Sequence, residues 1–394
     1  MLAYTLMLAA TSTGAYASVF VVLFGWDRWL AILVGSVVVL AYSVIGGMWS
    51  ITLADMVQFL IMTVGLFLLM LPISLSRAGG WAGMGERLDA EFFDVGGTGL
   101  QSIITYFVIY TLGLLIGQDI WQRVFTARSP RVAQIGGAAA GVYCILYGAA
   151  VALPGIETSD DVYASVAQNL LPVGIGGIAL AAAVAAMMST ASGALIAAAT
   201  VARADIMPML RGGRTATEVS VADAVDEHHA RPVAVQDPGE AEEDVSANRW
   251  WVLGLGVVAL AVAIQVPDVV AALTIAYDIL VGGLLVAILG GLLWRRGTGA
   301  GAAWSMVAGT VGTLVTMLVL ELRAEEAIAG VYANEPIYVG LALSAVVYVA
   351  VSLLTRPTDA AVLDAWRVRA RRGAVAAEGA AAAGAATAAG ATTR

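Results

Sequence analysis

Long apolar runs alternate with short polar breaks along nearly the whole chain, and the runs have the length of membrane crossings. Taking about 20 mainly apolar residues as one crossing of a bilayer, the pattern predicts ten helices, at residues 2–24, 28–47, 51–75, 100–122, 132–154, 170–202, 250–266, 268–294, 300–322 and 336–355. Two stretches break the pattern. Residues 206–248 carry nine acids, His228, His229 and no apolar run, which predicts a solvated, disordered loop. Residues 373–394 are a low-complexity tail of Ala, Gly and Thr. The connector 76–97 is long enough for a short helix lying on the membrane, and the connector 155–169 is acidic.

Composition agrees with the pattern. Of 394 residues 60% are hydrophobic and 12% charged, which places the chain among all-α, polytopic membrane helix bundles. All 20 basic residues are arginine. With the N-terminus inside, sixteen of them fall on the inner side, and only Arg28, Arg77, Arg87 and Arg323 fall outside. That asymmetry predicts both termini in the cytoplasm of a multi-pass plasma-membrane protein. The net charge of −9 sits mostly in loops, so it gives no support for nucleic-acid binding. A single cysteine, Cys144, excludes a disulfide framework. The chain is apolar from Leu2, and its first basic residue is Arg28, so it lacks the positive leader of a signal peptide and reads as starting inside a helix.

Candidate chemistry concentrates in Ala181–Asp205, AAAVAAMMSTASGALIAAATVARAD. Small residues there would let helices approach closely, and Ser189, Thr190, Ser192 and Thr200 add hydroxyls that need partners. Two readings stand side by side. The hydroxyls serve as helix–helix glue, or Ser189 and Thr190 join the carbonyl of Ala186 as hard oxygen ligands for a small cation. Elsewhere, Gly46 and Gly47 in YSVIGGMWSITLADMVQ (residues 42–58) predict a break and a sharp turn between two helices. Asp55 then lies about four residues, roughly 6–8 Å, into the next helix. It caps that helix, or it takes part in function, since an ionisable group there is costly without a partner or water. Asp278 lies about ten residues, roughly 15 Å, into its own helix. It is a partnered interface acid or a contact for a cation or amine. No His, Cys or Glu cluster falls within the apolar runs, and nothing supports an enzyme or an organic cofactor.

The chain resembles the sodium:solute symporter family. The resemblance rests on the small-residue stretch ending in Asp205, on Tyr42–Gln58, on GQDIWQRVFTARSP (residues 117–130) and, more weakly, on GLLWRRGTGAGAAWSMVAG (residues 291–309). It implies the leucine-transporter-like fold, in which two inverted five-helix repeats surround a midplane site. On that plan residues 1–75 are the remaining three helices of the first repeat and 76–99 an outer loop. Residues 100–294 form the second repeat, 295–356 two extra helices, and 357–394 a cytoplasmic tail. The chain is then expected to lack the first three helices of the family plan, with the hydroxyls of Ser189 and Thr190 facing an open groove.

For function, the resemblance implies a symporter taking up a small organic solute with Na+ as coupling ion, by alternating access. A non-transporting membrane fragment or sensor is the alternative. Ala186, Ser189 and Thr190 are implied sodium ligands. Asp55 and Ser192 would mark a second sodium or the inner release path, where Gly193 replaces a hydroxyl often found in the family. Gln118, Gln122 and Arg123 would form an inner gate. Tyr110, Gly113, Cys144, Thr274 and Asp278 would face the solute. Tyr110 and Cys144 stand where sugar carriers of the family have an asparagine and a lysine, which disfavours a hexose.

Overall fold

The structure, a computed structural model, describes all residues other than 88–92, 95, 98, 126, 153–161, 211–237, 267, 325–327, 361 and 365–394. Within helices it leaves out the side chains of 47–49, 87, 151–152, 162, 209 and 238–247. Among the described residues nine helices are long and apolar enough to cross a membrane. A tenth crossing is a bent pair, Leu100–Ile116 and Gln118–Phe125, meeting at 43°. The bend falls at Gly117, whose extended backbone interrupts the helix. In chain order the first three spans are Leu2–Phe24, Arg28–Gly46 and Ser50–Arg77, and the bent pair is the fourth. Pro130–Ala150, Val173–Ile206 and Asn248–Gln265 are the fifth to seventh. Val269–Leu293, Gly299–Glu321 and Glu335–Leu354 are the eighth to tenth.

The first and sixth spans meet at the centre through Leu8, Ala9, Ala191, Ala194 and Leu195, in one core with Tyr277, Leu280 and Val281 of the eighth. Alanine on the facing side lets the two backbones come close, where association in lipid relies on packing rather than on expulsion of water. Two buried hydroxyls of the first span are satisfied along their own helix. Thr11 donates to the carbonyl of Met7 at 2.8 Å and Thr13 to that of Ala9 at 2.7 Å.

The turn expected at Gly46–Gly47 takes an unexpected form. Helical hydrogen bonding runs unbroken from Arg28 to Thr63, so the glycines do not end the helix. The chain nevertheless reverses there. The Tyr42 hydroxyl donates to the carbonyl of Met188, and Asp55 accepts from Ser189, the next residue of the sixth span. A straight helix would separate residues 42 and 55 by about 20 Å. Gly65 then lies beside Ala179 and Ala182, further back along the sixth span. The reversal folds Gly46 so tightly onto Ser50 that a Cβ at Gly46 would overlap the serine side chain. Arg249, entering the seventh span, donates to the carbonyl of Ile45 at 3.1 Å and helps to satisfy the turn.

Other connectors depart from the sequence pattern. The stretch 206–248, expected as a loop, is helical over Met207–Leu210, and the helix of the seventh span begins at Pro238. Proline at its start and the acids in the following turn suit a helix N-terminus. Residues 211–237 of that stretch lie outside the described residues. Gly80–Arg87 is a short helix within the connector 76–97. In the connector 155–169, Val162–Asn169 is helical, and 155–161 lie outside the described residues, as does the tail from 365 onward.

Among the described residues four places open into wider i→i+5 turns: Val64–Met70, Phe107–Thr111, Ala202–Ile206 and Val281–Leu285. Such bulges often accompany functional positions in helices. Tyr110 lies within one, and Asp278 lies just ahead of another.

Candidate functional site

The sixth span carries three of the expected sodium ligands on consecutive turns of one helix. The Thr190 hydroxyl is exposed and donates to the carbonyl of Ala186, one turn back, at 3.3 Å. Thr11 and Thr13 make the same bond to the preceding turn, so this separation alone does not mark an ion site. Ser189 is half-buried, and its hydroxyl turns away from Thr190 to donate to Asp55 Oδ1 at 2.6 Å. Of the two expected to face an open groove, Thr190 is exposed while Ser189 is engaged across the third span.

Asp55 is the hub of a second cluster. Its Oδ2 accepts from Arg123 Nη2 at 3.0 Å, joining the third span to the second limb of the fourth, Gln118–Phe125. Arg123 also donates through Nη1 to the carbonyl of Asp119 at 3.1 Å. The Tyr4 hydroxyl reaches Asp119 Oδ1 at 3.4 Å, which brings the first span into the same group. Ser192 is buried and donates to the carbonyl of Ser189 at 3.0 Å. Of the expected gate residues, Arg123 is therefore tied to Asp55, whereas Gln118 and Gln122 are half-buried on the same helical limb.

The solute-facing candidates divide. Tyr110 lies beside Thr274, and its ring meets that of Tyr277 edge-on at 5.1 Å. The backbone of Gly113 abuts the same Tyr277 ring. Tyr4 closes the other edge of Tyr277 at 5.4 Å. Asp278, next in the chain, is only 1% exposed, and its Oδ1 has no hydrogen-bond partner among the described residues. A carboxylate so placed is costly in an apolar interior, which keeps it a candidate for a functional position. Cys144 stands apart from this group. It is exposed on the fifth span, whose aromatic side, Tyr143 and Tyr147, packs on Phe59 and Phe67 of the third.

Tyr4, Tyr42, Asp119 and Tyr277 also belong to these clusters. Their signal in the sequence is a phenol or acid inside an otherwise apolar run, since a buried hydroxyl needs a partner. The partner itself is named only by the fold.

A polytopic helix bundle with polar oxygens gathered at its centre and an ion pair toward one end has the build of a secondary transporter. Comparison with known proteins gives the family. The family model described as "Sodium:solute symporter family" matches residues 1–225, and the chain belongs to that family. The human high affinity choline transporter 1 is 26% identical over 215 residues, covering 48% of this chain and 37% of that protein's length. A solved structure of a Na+-coupled sialic acid symporter, in a substrate-bound outward-open state, aligns with a TM-score of 0.59 over 91% of this chain and 74% of its own. Sequence identity in that pair is 15%, so the likeness is one of fold. The fold is the expected all-helical transporter fold, and family and relatives are transporters, in line with the expectation of no enzyme.

Proposed function

We propose that the chain moves a small organic solute across the membrane with Na+ as its coupling ion, by alternating access. The observation that carries the reading is that Ser189, next to the exposed Thr190 on the sixth span, donates to Asp55 of the third span, in a chain of a sodium symporter family. Sodium held at Ala186, Ser189 and Thr190 would bind one conformation better than the other, which coupling requires. Asp55 and Ser192 line the inner release path, and the Asp55–Arg123 pair holds its gate together with Gln118 and Gln122.

The solute contacts in this reading are Tyr110, Gly113, Thr274 and Asp278. Tyrosine rings beside a buried carboxylate suit an organic cation or amine, because ring faces and the acid both attract positive charge. Such a solute agrees in charge with the choline carried by the human relative and not with a hexose. The protein is multi-pass, with both described ends of the bundle facing the cytoplasm on the arginine distribution and in the plasma membrane.

The test is uptake into proteoliposomes under an imposed sodium gradient, with choline, sialic acid and neutral amino acids offered in turn. Ser189→Ala and Thr190→Ala should each raise the sodium concentration for half-maximal uptake several-fold at unchanged expression. Uptake indifferent to sodium, or unchanged sodium dependence in both variants, would return these hydroxyls to a packing role.

A further inference from the structure

The connector between the ninth and tenth spans is anchored on one side and tied on the other. Glu321, the last residue of the ninth span, accepts from the backbone N–H of Ile328 at 2.7 Å and of Gly330 at 2.9 Å, one through each carboxylate oxygen. Bare backbone at Gly330 lies on the final turn of that span. A Cβ there would stand 2.5 Å from both the Met317 carbonyl oxygen and the Glu321 nitrogen. This grip holds Ile328 at φ 70°, in the left-handed region, which is costly for a β-branched side chain. Among the described residues every other positive φ belongs to glycine. Strain of this kind persists only where the surroundings impose it, and it clusters at clamps and switch regions.

From that anchor the chain reaches two other spans. The Tyr332 hydroxyl donates to Asp268, which caps the eighth span, at 3.1 Å from each carboxylate oxygen. Asn334 donates through Nδ2 to the Ser102 hydroxyl at 3.4 Å, and the Tyr338 and Thr105 hydroxyls share a bond of 3.1 Å. Ser102 and Thr105 open the fourth span. Ile328–Tyr338 thus bridges the ends at which the fourth and eighth spans begin, whereas Arg123 meets Asp55 beyond the far end of the fourth. Those two spans carry Tyr110, Gly113, Thr274 and Asp278. The two sides of the bridge differ in strength. Short, partly buried bonds to a carboxylate hold it on the ninth span. The ties to the other spans are longer, and the one to Asp268 is exposed, so water can take its place.

We propose that Ile328–Tyr338 is a strap that closes this end of the bundle by holding the fourth and eighth spans together, and that it lets them go for solute to pass between them. Release happens on the weaker side, and the strap stays on the ninth span. The tie itself stands on the contacts above, whereas the passage of solute rests on the function proposed for Tyr110 and Asp278.

The experiment has two arms, both on the purified full chain with Cys144→Ser. In the first, nitroxide spin labels on Leu100→Cys and Val270→Cys, both exposed, report the separation of the two span ends in detergent. Tyr332→Phe deletes the hydroxyl at Asp268 but spares the Asp268 Oδ1 bond to the Ala271 N–H, so the eighth span keeps its cap. Joined with Asn334→Ala, it should add a longer distance population that the labelled parent lacks. An unchanged distance in the folded double variant would overturn the strap, since a plain helix cap gives that result. Should the double variant not elute as a monodisperse protein, Tyr332→Phe alone decides by the same reading.

In the second arm, Asp268→Cys and Tyr332→Cys are bridged by a short bifunctional thiosulfonate, and choline uptake into proteoliposomes is followed. Bridging should abolish uptake and reductant should restore it. Full uptake by the bridged chain would overturn the release. Absence of choline uptake before bridging, in the parent as well, would count against the solute reading, and the spin-label distances then decide the strap.

Discussion

The hydroxyl of Ser189 donates to the carboxylate of Asp55 over 2.6 Å, although the two residues stand 134 positions apart in the chain. This bond joins the third and sixth spans near the reversal at Gly46–Ser50. A hydrogen bond to a charged acceptor contributes about 1.5–3 kcal/mol when both partners are shielded from water. Partial exposure of Asp55 puts this one at the lower end. Ser189→Ala and Asp55→Asn should therefore each lower the thermal midpoint in detergent, and the double variant should lose less than the sum. Strict additivity in that cycle would mean that the two side chains are not coupled in the folded protein.

Gly46 tests the reversal. Its α-hydrogen faces the Ser50 side chain where a methyl group would overlap it. Gly46→Ala is expected to cost about 1–3 kcal/mol, the usual range for overpacking, read as a lower thermal midpoint and reduced yield. Ser50→Gly should restore much of that loss in the double variant. A Gly46→Ala protein as stable as wild type would show that the turn is looser than described.

Asp278 separates two roles by charge. Asp278→Asn keeps shape and removes an unpartnered buried acid, so folding stability should hold or rise. For an organic cation, the concentration giving half-maximal uptake should increase at least tenfold, while an uncharged solute should be little affected. Equal effects on both would assign Asp278 to the architecture of the eighth span rather than to solute recognition.

Cys144 gives access to topology. Because it is exposed on the fifth span and away from Tyr110 and Thr274, Cys144→Ser should leave the thermal midpoint and any transport unchanged. In that background, a new cysteine between residues 211 and 237 should resist a membrane-impermeant thiol reagent in intact cells and react after lysis. Ready labelling from outside would reverse the orientation argued from Arg203, Arg211, Arg214 and Arg249.

Much of the bundle was legible in the order of residues, because a bilayer imposes a length on every apolar run and leaves few alternatives to helix. The ten predicted crossings match the nine long helices and the bent pair to within a few residues at most ends. Sequence also singled out Ser189, Thr190, Asp55 and Asp278, since hydroxyls and acids inside apolar runs require a partner. It could not name those partners. Periodicity describes one helix at a time, whereas contacts between spans depend on how helices rotate and how closely their backbones approach.

Gly193 is the clearest instance. In the sequence it is a lost hydroxyl within a small-residue stretch; in the fold it is the space that admits the Arg123 guanidinium from another span. Gly46–Gly47 is another, where glycine signalled a turn but not that helical hydrogen bonding would continue through it. Cys144 and Tyr110 looked alike as candidates, and only packing placed one on the exposed face and the other against Tyr277. Composition and spacing thus determine which residues must cross the membrane and which of them are costly to bury. Which cation, hydroxyl or ring answers each buried group is decided by tertiary structure, because that choice is made between helices distant in the chain.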